Sequence, residues 1–201
     1  LAVMASVPLI LVSGLALTLL NGPFLEELVA TFNQALSQLE QDLQQEGSGE
    51  LAFNSLAVPQ VAALLATGNA VIALLSLMLG RYWQAALYNP GGFGDEFRAL
   101  KLPAGAVMAM AFVAAALWWM GPDWRVWSAA AVLPLTIVGF ALVHAYAAHS
   151  NKGVAWLTLM YVLWIVLDIV KWVWVGCVVI DAFADFRARW ASPTGKGSGG
   201  D

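Results

Sequence analysis

Charge is scarce in this chain. Only 9 basic and 13 acidic residues occur among 201, 11% in all, where a soluble domain carries about 25%. Hydrophobic residues make up 61%, so the solvent for which the sequence is built is lipid. Cysteine is nearly absent. The single Cys177 excludes a disulfide scaffold and a thiolate cluster for zinc or iron–sulfur. Basic residues are the minority, and a net charge of −4 argues against a nucleic-acid partner. Such a hydrophobic composition also excludes disorder, which needs low hydrophobicity and high net charge.

The few charges cluster, and the gaps between clusters set out the organisation. No Asp, Glu, Lys or Arg occurs from Leu1 to Leu25, Leu51 to Gly80, Leu102 to Pro122, Val126 to Asn151 or Gly153 to Leu167. A helix needs about 20 apolar residues to cross a ~30 Å hydrocarbon core. The expected fold is therefore all-α, a polytopic transmembrane helical bundle in one domain over 1–192. Spans are expected near 1–20, 57–79, 104–120 and 126–148, with a fifth apolar region over 154–182 and a flexible polar tail over 193–201. Small residues in the third span, from Ala104 and Gly105 to Ala114–Ala116, suit close helix packing, and Trp118, Trp119, Trp124 and Trp127 suit an interfacial belt. Leu1 already lies in an apolar run with no basic segment before it, so further helices are expected upstream.

The fifth region differs in kind. Its 29 residues, about 43 Å as one helix, are interrupted by Asp168 and Lys171 near the middle. It reads either as one tilted helix with an intramembrane ion pair or as two short halves meeting at a polar break. The positive-inside rule bears on the choice. Arg81, Arg98 and Lys101 put the second loop in the cytoplasm, and six acids with no base between Asn21 and Glu50 put that segment outside. Counting on, a single last span would leave Arg187, Arg189 and Lys196 outside, against the rule, whereas a double crossing returns them. No Gly or Pro marks the break.

Outside the spans, the clearest periodicity runs from Phe24 to Gln45. Leu25, Val29, Phe32, Leu36, Leu39 and Leu43 step by 4, 3, 4, 3 and 4, lining one helix face or a short coiled-coil seam. The absence of basic residues makes anionic lipid a poor partner for this face. It lies against the protein's own membrane surface, covers a cavity as a lid, or docks a partner through residues such as Leu36 and Leu39. Gly47-Ser48-Gly49 then forms a flexible connection.

The loop over 80–103 is the most distinctive text. Asn89-Pro90-Gly91-Gly92 is a turn signal, and Gly91, Gly92 and Gly94 do not make a phosphate loop, since no Lys-Ser or Lys-Thr follows and no strand precedes. It is a cytoplasmic turn anchored by aromatics and an Arg-to-Glu pair, or a docking surface through Arg81, Phe93, Phe97 and Arg98. Gly80-Arg81-Tyr82-Trp83-Gln84, Tyr88-Asn89-Pro90-Gly91-Gly92-Phe93-Gly94 and Glu96-Phe97-Arg98 resemble the YybS-like family of bacterial membrane proteins, as do the closing Asp181, Asp185, Phe186, Arg187 and Arg189. That family has no settled activity and is distantly similar to the substrate-binding S-components of energy-coupling-factor transporters. The resemblance implies a multi-pass bacterial inner-membrane protein with a small-molecule site between helices; it assigns no catalytic residue.

Ionisable groups at bilayer depth are the default site candidates, because burying a charge there costs at least ~2.5–3.5 kcal/mol. Asp168 and Lys171 lead, as a substrate or proton site or as a neutral architectural pair. His144 and Asn69 are the other ligand candidates, each with a structural alternative as a hydrogen-bonded packing residue. His144 and His149 are five apart, where a helical metal pair wants four. Cys177 in an apolar run reads as inert, and no nucleophile–base arrangement appears, so no enzyme, cofactor or metal is expected. Two functions stand nearly level: a small-molecule binding or transport component, and a non-catalytic accessory subunit of a larger membrane complex. The expected partners are the bilayer and either a ligand, a membrane protein or a second copy.

Overall fold

The computed structural model describes residues 9–45, except 11, 15, 18, 20 and 21, and residues 53–191. The described residues are helices and turns with no strand. The described residues between 9 and 19 are helical, and from Gly22 onward the helices are α1 (Gly22–Gln45), α2 (Val58–Tyr88), α3 (Gly92–Arg98), α4 (Ala104–Trp119), a 3₁₀ turn at Pro122–Trp124, α5 (Arg125–Ala131), α6 (Leu133–His149), α7 (Val154–Val166), α8 (Asp168–Ala184) and α9 (Phe186–Ala191). Most of the expected first span, the Gly47-Ser48-Gly49 connection and the 193–201 tail lie outside the described residues.

Among the described residues one helix, α2, is long and apolar enough to cross a membrane; the count rises to three if each of two broken pairs, 122–149 and 154–184, is one crossing. At 31 residues α2 extends about 46 Å. It therefore runs through the expected span and nine residues into the expected loop, carrying Arg81, Tyr82 and Trp83 on helix rather than on coil. The α4 helix has 16 residues, about 24 Å, short of a ~30 Å core. The expected fourth span is interrupted at Val132, just before Pro134, a residue that cannot donate to the turn behind it and so starts a helix more readily than it continues one.

The chain divides into two compact units, one comprising residues up to Met78 with Phe112–Ala131, the other Leu79–Ala111 with the chain from Val132 onward. In the first, Leu25 of α1 packs with Val61 and Ala62 of α2, flanked by Leu28, Val29, Leu56, Leu65 and Trp127. Asn33 ties the same helix down by a pair of bonds, its carbonyl accepting from Leu56 N–H (2.7 Å) and its amide donating to Leu56 O (3.1 Å). The Trp127 indole donates to Pro59 O, and Ser128 Oγ, fully buried, donates to Ala114 O at 2.7 Å.

In the second unit, α6 and α8 form the core through Leu135, Val138, Leu142, Trp174 and Val178, all buried. Gly139 makes this approach possible. The Trp174 indole lies directly on it, so that a Cβ there would fall within 3.0 Å of two indole atoms.

Candidate functional site

The final apolar region is not one straight helix. Leu167 takes an extended conformation (φ −113°, ψ 110°), and α7 and α8 meet at a bend of 116°. Asp168 then opens α8, where a carboxylate favours the exposed N–H groups of a helix start, and accepts from Lys171 Nζ at 2.6 Å. That is the start signal present in place of Gly or Pro.

Ring contacts fix the direction of each arm. Trp156 at the start of α7 lies 6.1 Å from Tyr146, near the end of α6, while Tyr161 and Trp164 pack on Phe140, two turns deeper. Trp174 of α8 meets the same Phe140, and Trp190 of α9 returns to Tyr146 and stacks on His149 at 5.5 Å. The chain thus leaves the end of α6 along α7 and comes back to it along α8. Asp168 and Lys171 sit at the tip of a hairpin, with the Asp168 side chain 89% exposed and Lys171 44%. They pair with each other, and Lys171 lies 5.6 Å from the Trp164 ring.

At the base of the hairpin the charges interlock. Asp185 ends α8 in the left-handed region (φ 47°), and its carboxylate takes the Lys101 ammonium at 2.9 Å. That hydrogen bond holds the Asp185 carboxyl below the usual carboxylate range. Asp181, buried, caps the reversal by accepting Phe186 N–H at 2.9 Å and faces Arg187 Nη2 at 3.6 Å. Arg187 Nη1 donates to Leu100 O, and burial pushes its guanidinium pKa down. Asp181 and Arg187, which the sequence shows only as part of a closing charged motif, are brought together here as a pair. Six positions apart, they would not share a face of one helix, and only the turn at Asp185 brings them together.

The α3 helix joins this base. Gly91, at φ 90°, supplies the turn that starts it. Arg81 makes a two-pronged bond to Glu96, through Nε at 2.8 Å and through Nη2, which holds the Glu96 carboxyl low; Arg98 pairs with Asp95 at 2.6 Å. Tyr82, Phe93 and Phe97 continue as a ring ladder that ends edge-on against His144 at 5.4 Å. Of the proposed docking residues of this loop, the two arginines are in ion pairs and the two phenylalanines in ring contacts within the unit.

His144 is hydrogen-bonded at both ring nitrogens. Its Nδ1 lies 2.8 Å from Phe140 O, which can only accept, so Nδ1 donates there, and Nε2 faces the Tyr161 hydroxyl at 3.4 Å. Asn69 is exposed and belongs to the other unit. The four ligand candidates therefore divide three ways: a His144–Tyr161 pair, an exposed tip pair, and Asn69 by itself in the first unit. Cys177 is exposed rather than packed. No group of three or more metal-ligating side chains occurs among the described residues.

The exposed seam of α1 is the remaining feature. Leu25 is buried and Val29 packed against α2, whereas further along the seam Phe32 and Leu39 are each 47% exposed, with Leu36 and Leu43 half-buried beside them. No family model, curated protein or solved structure matches the chain.

Proposed function

We propose that the chain is a polytopic helical protein of a bacterial inner membrane and acts as a non-catalytic subunit, gripping a partner protein through the outer half of α1. The single observation that carries this reading is the α1 seam, whose heptad-spaced apolar residues continue beyond Leu25 and Val29, the two packed on α2, with Phe32 and Leu39 exposed and Leu36 and Leu43 half-buried. The polar groups of the α6–α8 unit, by contrast, are largely spent on one another. The charge-free stretches support several crossings, and the hairpin return of α9 agrees with the positive-inside count. The bacterial location draws its support from the YybS-like resemblance of 80–98 and 181–189.

A specific observation favours a second reading, a small-molecule binding or transport component: the His144–Tyr161 pair, a hydrogen-bonded polar couple among Phe97 and Phe140 in an otherwise apolar helix layer. Native mass spectrometry on gently extracted protein separates the two. A stoichiometric protein partner, lost when Leu36 and Leu39 become Glu, supports the subunit. A small molecule retained without any protein, and lost in His144→Ala or Asp168→Ala, supports the binding component and overturns the subunit.

A further inference from the structure

We infer that the partner of α1 is a second heptad-patterned helix carrying Lys or Arg beside its seam, and not a second copy of this chain; this rests on the subunit reading above and names the chemistry of its partner. The register follows from the spacing. With Val29, Leu36 and Leu43 at one core position and Leu25, Phe32 and Leu39 at the other, the flanking positions of the outer half are Asn33 and Glu40 on one side and Ala35 and Asp42 on the other. The inner seam is already occupied, Leu25 being fully buried and Val29 packed on the α2 cluster. Only Phe32, Leu36, Leu39 and Leu43 remain to receive a partner.

Charge selects among occupants. Glu40 and Asp42 bracket the last two apolar positions, and among the described residues neither meets a cation; Glu40 accepts only from Gln44 Nε2, at 3.5 Å. From Asn21 to Glu50 there are six acids and no Lys or Arg. A second copy would bring its own Ala35 or another acid to these flanks, and no cation. Anionic headgroups would be repelled for the same reason. A helix with basic residues at its flanking positions pairs both carboxylates while its apolar seam covers Leu36 and Leu39, which matches on both counts.

The test uses the full chain in phosphatidylcholine nanodiscs, with empty discs as background. The probes are three fluorescent 24-residue peptides: Leu at both core positions with Lys at the flanks, the same with Glu at the flanks, and a scramble of the Lys peptide. Anisotropy should show the Lys heptad peptide binding at least tenfold more tightly than either other. Binding should be lost in Leu36→Glu/Leu39→Glu, and the preference should reverse toward the Glu peptide in Glu40→Lys/Asp42→Lys. Equal binding of the peptides, or a preference that survives the charge reversal, overturns the inference. So does full-yield disulfide crosslinking between copies bearing Leu39→Cys in a Cys177→Ser background, which would make the occupant a second copy. These outcomes are distinct from failure of the subunit reading, where no stoichiometric protein accompanies the native chain from its membrane.

Discussion

The contact between Gly139 and Trp174 gives the sharpest quantitative expectation. A Cβ at Gly139 would meet Trp174 Cγ at 3.1 Å and two further indole atoms well inside 3.0 Å, so Gly139→Ala cannot be absorbed by a few tenths of an ångström. Trp174 is buried against α6 and in ring contact with Phe140, which leaves the indole no free direction. Overpacking of this kind costs about 1–3 kcal/mol. A helix-interior Gly→Ala gains up to about 1 kcal/mol in propensity, which partly masks the clash. The neighbouring helix supplies the control, since a Cβ at Gly176 meets nothing within 4 Å and Gly176→Ala should show the gain alone. The propensity gain is common to both variants and cancels, so the contrast between them is the clash itself, about 1–3 kcal/mol. Thermal unfolding in detergent, followed by circular dichroism, reads it as a gap of several degrees in Tm. A double-mutant cycle locates the cause: in a Trp174→Leu background, Gly139→Ala should lose its penalty and turn neutral or stabilising. If Gly139→Ala matches Gly176→Ala, or costs the same with and without the indole, the packing of α8 on α6 is not as described.

Three other expectations concern the base of the hairpin. Asp181→Asn keeps an acceptor for Phe186 N–H but leaves Arg187 without its counter-charge; about 3 kcal/mol of stability should be lost, the lower end for a broken buried pair because Arg187 retains 13% exposure, and Arg187→Met should restore most of it. Acid should loosen the same region. The Glu96 and Asp185 carboxyls are both held low, so their ion pairs contribute fully above the ordinary carboxylate range near pH 4 and are lost as pH falls through their lower folded values; amide exchange at Ala99–Lys101 should rise there, and an unchanged response in Glu96→Gln/Asp185→Asn would refute the assignment. Finally, in a Cys177→Ser background, cysteines at Gln84 and Ala188 should react with an impermeant maleimide from the same side of the membrane, whereas labelling from opposite sides would exclude the return of α9.

Much of this architecture is legible in the sequence, and the exceptions have physical causes. Heptad spacing anticipates α1 because an apolar seam repeats regardless of what covers it. Hydropathy marks the apolar core of α2 but not its end, since Arg81 and Gln84 are good helix formers and carry the helix on to Tyr88. Val132 escapes notice because the interruption comes from one proline inside an unbroken apolar run. Asp181 and Arg187 are illegible as a pair because their meeting depends on a left-handed residue, Asp185, that no periodicity announces. His144 shows the opposite limit. Its type and solitude single it out, but only the folded contacts say what each ring nitrogen meets, Phe140 O for Nδ1 and the Tyr161 hydroxyl for Nε2.

The hairpin also accounts for why charges occur in the middle of the most apolar region. The α7 arm has 13 residues, about 20 Å, and the α8 arm 17, about 26 Å, against a hydrocarbon thickness of ~30 Å. Joined at 116°, neither arm reaches a full crossing from the base marked by His149 and Trp190. An apolar tip would then be stranded without a reason to stop, whereas a charged one draws the opposite headgroup layer down to meet it. Asp168 and Lys171 answer that need. Their pairing at 2.6 Å halves the charge problem, and the Lys171 stem can snorkel over Trp164 toward the interface. On the proposed topology the ion pair is therefore the stop signal of a short re-entrant hairpin, and its exposure follows from position at the tip, not from an open site between helices.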